Sequence, residues 1–174
     1  IYYEQEEASI HHILTEKQIP FHWIYLISSE KQYEDLEKLE TKYGNEYVEV
    51  HPIYTGDNLP FFEENVYLAE EDILQSNYDK QDIFAHQVMN TNFWGRLSVL
   101  PDGKVYSNLN HPPLGTLKDR VYDLIVDEMT SKRAWRWIRD EVSPCKDCLF
   151  RYLCPSPSNY ELVIGKPNLC HVKP

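Results

Sequence analysis

All four cysteines of this 174-residue chain lie in its last 30 residues, with the spacing Cys145-x2-Cys148-x5-Cys154-x15-Cys170. Thiolates are soft, negatively charged ligands, and four of them can converge on a tetrahedral zinc ion or an iron–sulfur cluster. The x2 pair is the most specific part of the pattern, because two intervening residues form a short turn that directs both sulfurs to one point. The sequence therefore predicts a metal site formed by these four cysteines.

Two other interpretations of the cysteines stay open: a disulfide framework and four unconnected buried thiols. Disulfides suit a small secreted chain, but 174 residues with 42% hydrophobic content can bury an ordinary core without cross-links. Residues 1–7 also lack the basic start and the apolar run of a signal peptide. We therefore expect a reducing, cytoplasmic setting in which the thiols bind metal.

The kind of metal centre is a separate question. Zinc sites often contain two x2 pairs, whereas here the second half consists of Cys154 and the distant Cys170. This asymmetry favours one [4Fe–4S] cluster over zinc, and zinc remains the alternative. His171 could replace a cysteine at a zinc ion, but we expect it to be a bystander beside Cys170.

Acidic residues are concentrated in the first half of the chain. Residues 1–80 contain 18 Asp and Glu against 5 Lys and Arg, residues 81–174 contain 10 against 12, and the whole chain carries −11. The strongly acidic composition of residues 1–80 argues against nucleic acid or anionic lipid as a partner. No apolar stretch approaches the roughly 20 residues that a membrane-spanning helix needs. We expect a solvated acidic surface, with a docking site for a basic peptide as the alternative.

Predicted helices and strands alternate in the first half of the chain. Apolar periodicity predicts, in chain order, a helix over 4–18, a strand over 21–27, a helix over 33–43 and a strand over 47–54. The dense apolar run over 21–27 is typical of a strand that is covered on both faces. Residues 57–62 are predicted to form a loop, and a short helix is predicted near 69–74. This βα alternation predicts a parallel sheet, either half-barrel-like or small and open.

The pattern changes near residue 88, where we place the boundary between residues 1–88 and a domain over 89–174. Two alternating runs flank the turn sequence Pro101-Asp102-Gly103, which predicts a β-hairpin. Helices are predicted over 117–129 and 132–142. Of the two tryptophans in the second helix, Trp135 and Trp137, one is expected in the core and the other at the domain boundary. The predicted fold class is α/β.

Four segments of the second half resemble a known family. They are Trp94-Gly95, Leu100-Pro101-Asp102-Gly103-Lys104-Val105-Tyr106, Leu114-Gly115-Thr116-Leu117 and the Cys145–Cys154 motif. Their order resembles the SPASM domain, the cluster-binding C-terminal extension of radical SAM enzymes that modify ribosomally made peptides, over about residues 92–172. The ending looks closest to pseudo-radical-SAM and grasp-with-spasm peptide maturases. The resemblance implies that residues 1–88 are the last βα units of a radical-SAM-like barrel.

The chain departs from the SPASM pattern at three ligand positions. No cysteine precedes Gly103, Asn108 stands where the family has a Gly-x4-Cys cysteine, and Ser158 replaces the cysteine that follows Cys154. In the family these positions bind the first auxiliary cluster, while the four cysteines present here match the ligands of the second. The resemblance therefore implies a single cluster. We predict that Asn108 and Ser158 lie near one another in a space that protein side chains fill.

The function implied by the resemblance is recognition of a precursor peptide or a maturation enzyme by a SPASM-like domain that binds an iron–sulfur cluster or zinc. The chain lacks the Cys-x3-Cys-x2-Cys triplet that holds the SAM-cleaving cluster, so we expect no catalysis by this chain itself. One alternative is the C-terminal part of an active radical SAM enzyme with an electron-transfer cluster. The other is a zinc-stabilised interaction domain of unrelated ancestry. A complete cysteine shell leaves no coordination position open to substrate, which favours a structural or electron-transfer role.

Overall fold

The computed structural model of this chain describes residues 7–44, 48–131 and 133–173. Two compact units make up the chain, Ile1–Phe61 and Phe62–Pro174. The described part contains a two-stranded parallel sheet and a separate three-stranded antiparallel sheet, which confirms the mixed α/β class. Residues 62–88 belong to the same compact unit as the cysteines, and the assignment of residues 1–88 to one barrel-like domain stays a prediction.

The first unit is built from the predicted alternation of helices and strands. Its elements are α1 (Glu7–Glu16), β1 (Trp23–Ile27), α2 (Lys31–Tyr43) and β2 (Val48–Pro52). Strands β1 and β2 pair in parallel from Trp23 opposite Val48 to Ile27 opposite Pro52, which confirms the predicted parallel pair. Gly44 follows α2 with φ of 88°, a conformation that favours glycine. Parts of the predictions over 4–18 and 47–54, namely residues 4–6 and 47, lie outside the described residues.

Among the residues that the structure describes, helix α2 covers one face of this parallel pair. Ile27 and Leu36 are buried where α2 packs against the strands, whereas Ile24 is 58% and Leu26 is 45% exposed. Successive residues of a strand point to opposite faces of the sheet. Ile24 and Leu26 therefore share one face, and Ile27 points to the other face, where α2 packs. The prediction of a strand covered on both faces is therefore wrong, because one helix shields one side only.

Helices of the cysteine-containing half are short. They are α3 (Leu59–Asn65), α4 (Glu70–Leu74), α5 (Lys80–Val88), α6 (Val121–Ser131) and α7 (Asn159–Ile164). The predicted helix near 69–74 is confirmed, and the predicted loop over 57–62 is wrong from Leu59 onward. In the part of the chain that the structure describes, no helix combines the length and apolar character needed to cross a bilayer.

The predicted helix over 132–142 is wrong for the residues that the structure describes. Only a 3₁₀ turn over Arg139–Glu141 forms there. The backbone N–H groups of Ala134 (2.7 Å) and Trp135 (2.9 Å) donate to Glu128 Oε1. This buried carboxylate therefore holds the segment that follows α6, and the segment stays irregular up to Ile138.

A small antiparallel sheet follows the predicted turn. Its strands are β3 (Ser98–Val99), β4 (Lys104–Tyr106) and β5 (Gly115–Thr116), in that order. The predicted hairpin is confirmed, and Gly103 closes its turn with φ of 79° and an N–H bond to the Leu100 carbonyl. Strand β5 was not predicted. A Cβ on Gly115 would lie 2.7 Å from Asp119 Oδ2, so the close approach of Asp119 requires glycine there.

The hydrophobic core beside this sheet centres on Trp135, which is 4% exposed and packs with Phe93 and Ala134. Trp137 is partly buried against the same cluster. The Trp135 indole donates to the Arg96 carbonyl at 3.1 Å. The prediction that one of the two tryptophans lies in the core is confirmed for Trp135.

Candidate metal centre

Short turns position the first three cysteines. Cys145 begins a 3₁₀ turn, Cys145–Asp147, and the Cys148 N–H donates to the Cys145 carbonyl at 3.0 Å. This is the turn that the x2 spacing predicts. The Cys154 N–H donates to the Phe150 carbonyl at 2.9 Å, which folds the intervening residues into a second turn.

The fourth cysteine is placed by pairing with a distant segment. Cys170 forms an isolated parallel bridge with Leu68. The Leu68 N–H donates to the Leu169 carbonyl and the His171 N–H to the Leu68 carbonyl, each at 3.0 Å. The His171 ring nitrogen Nε2 lies 2.8 Å from the Glu63 carbonyl. Residues near Leu68 therefore help to position Cys170, whereas the His171 ring is engaged elsewhere.

All four cysteines line one cavity of about 20 Å³. A space of that size holds a water molecule. Arg139 and Arg151 also line it, and the remaining lining residues are Leu68, Ile73, Pro144, Asn168, Leu169 and Val172. Among the lining residues of the described chain there is no carboxylate and no imidazole. The cavity thus offers four sulfurs, two guanidinium groups and an otherwise mostly apolar wall.

The four cysteines are free thiols. Across residues 7–44, 48–131 and 133–173, no three His, Cys, Asp or Glu side chains are grouped so that they could hold a metal ion. The sulfurs therefore share a cavity without forming a ligand set in this conformation. The donor chemistry nevertheless fits zinc or an iron–sulfur cluster, because four cysteines line one space whose lining contains no carboxylate and no imidazole.

The thiols influence one another electrostatically. Burial raises the pKa of Cys154 to about 11; Arg139 opposes the rise, and the other three sulfurs add to it. Burial also raises the pKa of Cys145, again against the effect of Arg139. The thiolates of Cys145 and Cys154 are thus disfavoured by burial and by the neighbouring sulfurs. Metal binding to cysteine releases the thiol protons, so a metal centre here would be surrounded by thiolates. The positive charge of the bound metal would offset the repulsion between them.

Arg139 is buried among the cysteine segments. Its Nη1 lies 3.7 Å from Cys145 Sγ and its Nη2 donates to Glu161 Oε1 at 2.7 Å. Burial disfavours the charge of Arg139, but Glu161, Cys145 and Cys154 outweigh that effect, so its pKa is raised. The guanidinium is therefore a fixed positive charge at the wall of the cavity.

Arg151 contacts the second cysteine through the backbone. Its Nη1 donates to the Cys148 carbonyl at 3.1 Å and its Nε to Asp140 Oδ1 at 2.8 Å. The Tyr152 hydroxyl donates to the other oxygen of Asp140 at 2.8 Å. These bonds tie the turn that contains Cys148 to the 3₁₀ turn over Arg139–Glu141.

The segments of Asn108 and Ser158 meet as predicted, through the residue next to Ser158. Asn108 is 6% exposed, and its Nδ2 donates to Asn159 Oδ1 at 2.7 Å. Asn110 Nδ2 donates to the same oxygen at 3.0 Å. Ser158 caps α7, accepting the Tyr160 N–H at 3.1 Å. Amide side chains occupy the space between the two segments.

Two buried charged residues beside the cysteines, Arg139 and Glu161, were missed in the sequence analysis. Ser158-x2-Glu161 has the spacing of a capping box, so Glu161 could have been found at the start of α7. Arg139 carries no comparable signal, because its partners lie 6 to 28 residues away in the chain. Only the tertiary fold brings these groups together.

No family model, no curated protein and no solved structure matches this chain. The resemblance to the SPASM domain therefore rests on the residues that carry it and stays an interpretation.

Proposed function

We propose that the four cysteines hold one metal centre, a [4Fe–4S] cluster or alternatively zinc, and that the second unit is a SPASM-like domain that recognises a peptide or a maturation enzyme. The observation that carries this proposal is the cavity that all four cysteines of the chain line together. Thiols separated by 25 residues have little reason to share a cavity with no carboxylate or imidazole in its wall, unless they bind a common centre.

The centre would be held by Cys145, Cys148, Cys154 and Cys170, and it would supply rigidity and, as an iron–sulfur cluster, one-electron transfer. Four cysteine ligands complete the coordination shell of either centre, so substrate has no position on the metal. Stability is the role most directly served, because the segments around these cysteines contain little regular structure to hold them.

The contact between Asn108 and Asn159 supports the likeness to a SPASM domain that keeps one of two clusters. By the resemblance, Asn108 and Ser158 stand at positions that bind the first cluster in the family. Their segments lie together here, and hydrogen-bonded amides fill the space between them. A chain of unrelated ancestry would have no reason to bring these two positions together.

Recognition of a polypeptide partner is supported by the surface of α6. Val121 and Tyr122 are 60% and 67% exposed, and Ile125 and Val126, one turn later, are exposed as well. Exposed apolar residues that form one patch are typical of protein-binding surfaces. The acidic first half of the chain favours a basic partner over nucleic acid.

Metal analysis of protein purified without oxygen tests the centre. We expect about four iron and four sulfide per chain with a broad visible absorption band, or one zinc and no colour. The Cys148→Ser variant should lose the metal, and Ser98→Ala, on exposed β3, should retain it. Absence of both metals from wild-type protein, or full metal content in Cys148→Ser, would disprove the centre.

Peptide display on immobilised metal-loaded protein tests recognition separately. We expect enrichment of basic peptides, and loss of their binding in a Tyr122→Ser variant that keeps its metal. The matched control is Leu149→Ser, because Leu149 is 91% exposed and lies outside α6. Equal peptide binding by the wild-type and Tyr122→Ser proteins would remove α6 from the proposal.

A further inference from the structure

Arg139 connects three of the four segments that contain the cysteines. Its Nη1 lies 3.7 Å from Cys145 Sγ and also donates to the Pro167 carbonyl at 3.0 Å. Its Nε donates to the Pro155 carbonyl at 3.1 Å. Pro155 directly follows Cys154, and Pro167 lies three residues before Cys170. One side chain therefore holds segments that are far apart in sequence.

The position of Arg139 is set in turn by Glu161. The two side chains are 7% and 4% exposed, and Arg139 Nη2 donates to Glu161 Oε1 at 2.7 Å. The other oxygen, Oε2, accepts the Ser158 N–H at 2.8 Å and the Ser158 hydroxyl at 2.5 Å. The capping box of α7 holds Oε2 of Glu161, so Oε1 is positioned to accept from Arg139, whose Nη1 then lies beside Cys145 Sγ.

This buried ion pair needs an explanation beyond stability. Removing two charges from water costs about as much as their attraction returns, and apolar residues of similar size often serve as well. An apolar pair could not place a positive charge beside the cysteine sulfurs. Four thiolates around a dication leave two negative charges uncompensated, and Arg139 is placed to offset part of that charge.

We infer that Arg139 is the positioning residue of the cysteine site: it holds the segments of Cys145, Cys154 and Cys170, and its charge stabilises the metal-loaded thiolates. Glu161 orients Arg139 and withdraws part of its charge from the sulfurs. This inference rests on the proposed metal centre.

Metal titration of the full chain and three variants tests the inference. Wild-type, Arg139→Gln, Arg139→Lys and Glu161→Gln proteins are titrated with Co²⁺ at one pH, and the thiolate-to-cobalt absorption band is followed. Zn²⁺ affinity is then measured by competition. The control is Arg120→Gln, because the Arg120 side chain is 81% exposed. Arg139→Gln should bind about 10–100-fold more weakly, the range found for groups that support metal ligands.

The other two variants separate charge from structure. Arg139→Lys should recover part of the affinity, because it keeps the charge but cannot reach all of the Arg139 acceptors. Glu161→Gln should bind Zn²⁺ at least as tightly as wild type, because glutamine keeps an oxygen that can accept from Arg139 and so orient it, while the full charge of Arg139 then faces the sulfurs. A purely structural role for the pair predicts that Arg139→Gln and Glu161→Gln lose affinity alike.

Each outcome decides one question. If the wild-type protein binds neither Co²⁺ nor Zn²⁺ and also contains no iron–sulfur cluster when purified without oxygen, the proposed function fails. If it binds them and Arg139→Gln binds equally well, or if Glu161→Gln weakens as much as Arg139→Gln, only the inference about Arg139 fails. If Arg139→Gln does not fold, the Zn²⁺ affinities of the other two variants are compared. Tighter binding by Glu161→Gln than by Arg139→Lys supports the inference, and the reverse order overturns it.

Discussion

Each of the two units of this chain is stabilised internally by a different kind of interaction. In the first unit, strands β1 and β2 pair along their length and α2 covers one face with Leu36 and other apolar residues. In the second unit, long irregular segments are held by buried polar side chains that bond to backbone groups far away in sequence. Asn90, for example, is fully buried and its amide donates to the carbonyls of Trp137 and Pro157.

The difference matters for how each unit tolerates change. An apolar contact that is lost weakens a unit in proportion to the area exposed. A buried polar group that loses its partner costs the full desolvation of that group, and the members of a network depend on one another. The second unit should therefore fail abruptly when one of its central groups is removed, and the first unit should weaken gradually.

The largest effect is expected from Cys148→Ser. Metal binding by four thiolates contributes on the order of 10 kcal/mol in small domains, and the variant would lose much of it. Backbone amides over 140–174 should exchange with solvent much faster, while those over 23–44 keep their rates. Hydrogen exchange with mass spectrometry measures both. Removal of the metal from wild-type protein with a chelator should produce the same pattern. An equal increase of the exchange rates in both units would show that the two units do not differ in their dependence on the metal.

A smaller effect is expected from Glu128→Leu. The Glu128 side chain is fully buried and accepts the Ser107 hydroxyl at 2.7 Å in addition to the N–H groups of Ala134 and Trp135. Leucine would leave three buried donors unpaired, at a cost of about 3–5 kcal/mol in the free energy of unfolding. Urea unfolding followed by tryptophan fluorescence measures it.

Two further variants control the Glu128 experiment. Glu128→Gln keeps one acceptor and should cost about 1–2 kcal/mol. Asp123→Leu lies on the same helix with its side chain 60% exposed and should change the unfolding free energy by less than about 0.5 kcal/mol. Equal losses of unfolding free energy in Glu128→Leu, Glu128→Gln and Asp123→Leu would show that burial of the Glu128 carboxylate is unimportant.

Leu36→Ala examines the first unit in the same way. Leu36 is 7% exposed beneath the parallel pair, and its truncation should cost about 2–3 kcal/mol by leaving a cavity. Cleavage by a protease should increase within residues 7–44, with the metal content unchanged. Leu26→Ala is the control, because Leu26 is already 45% exposed and should cost less than about 1 kcal/mol. Metal loss in Leu36→Ala would show that the units are not independent.

The contrast between regular apolar packing in the first unit and long-range polar contacts in the second also explains which parts of the fold could be predicted from the sequence. Apolar periodicity located β1, α2 and β2, because each of these elements buries side chains at a regular spacing. It also predicted a helix over 132–142, where the structure has only a 3₁₀ turn and where Trp135 and Arg139 are held by contacts with residues far away in the chain. It gave no warning that Ile24 would be exposed, because the number of covering layers is a property of the assembled unit.

The candidate site shows the same limit. The spacing of the cysteines was sufficient to predict that they lie together, as their common cavity shows, while the metal site itself stays a prediction. The turn between Cys145 and Cys148 follows from two intervening residues. Arg139 could not be predicted, because each of its contacts depends on a different long-range chain reversal. Asn108 and Ser158 were predicted to be near each other only through the resemblance, and the Asn108–Asn159 bond is what brings their segments together.

The smallest effect is expected from Asp119, an exposed residue that uses the same type of side-chain-to-backbone bond. Its Oδ2 accepts the backbone N–H of Thr116 at 2.7 Å and the Thr116 hydroxyl at 3.0 Å, and these bonds lower the pKa of the carboxyl. A lowered pKa means that the folded state favours the charged form, so this stabilisation is present above the ordinary pKa of 3.8 and is lost as the pH falls below it. Carbon-13 NMR titration of the Asp119 carboxyl should give a midpoint below the ordinary value of 3.8, and Asp119→Asn should flatten the pH dependence of hairpin exchange in the acid range. A midpoint at or above 3.8 would show that such bonds have no effect in water, and would restrict the contrast between the units to their buried groups.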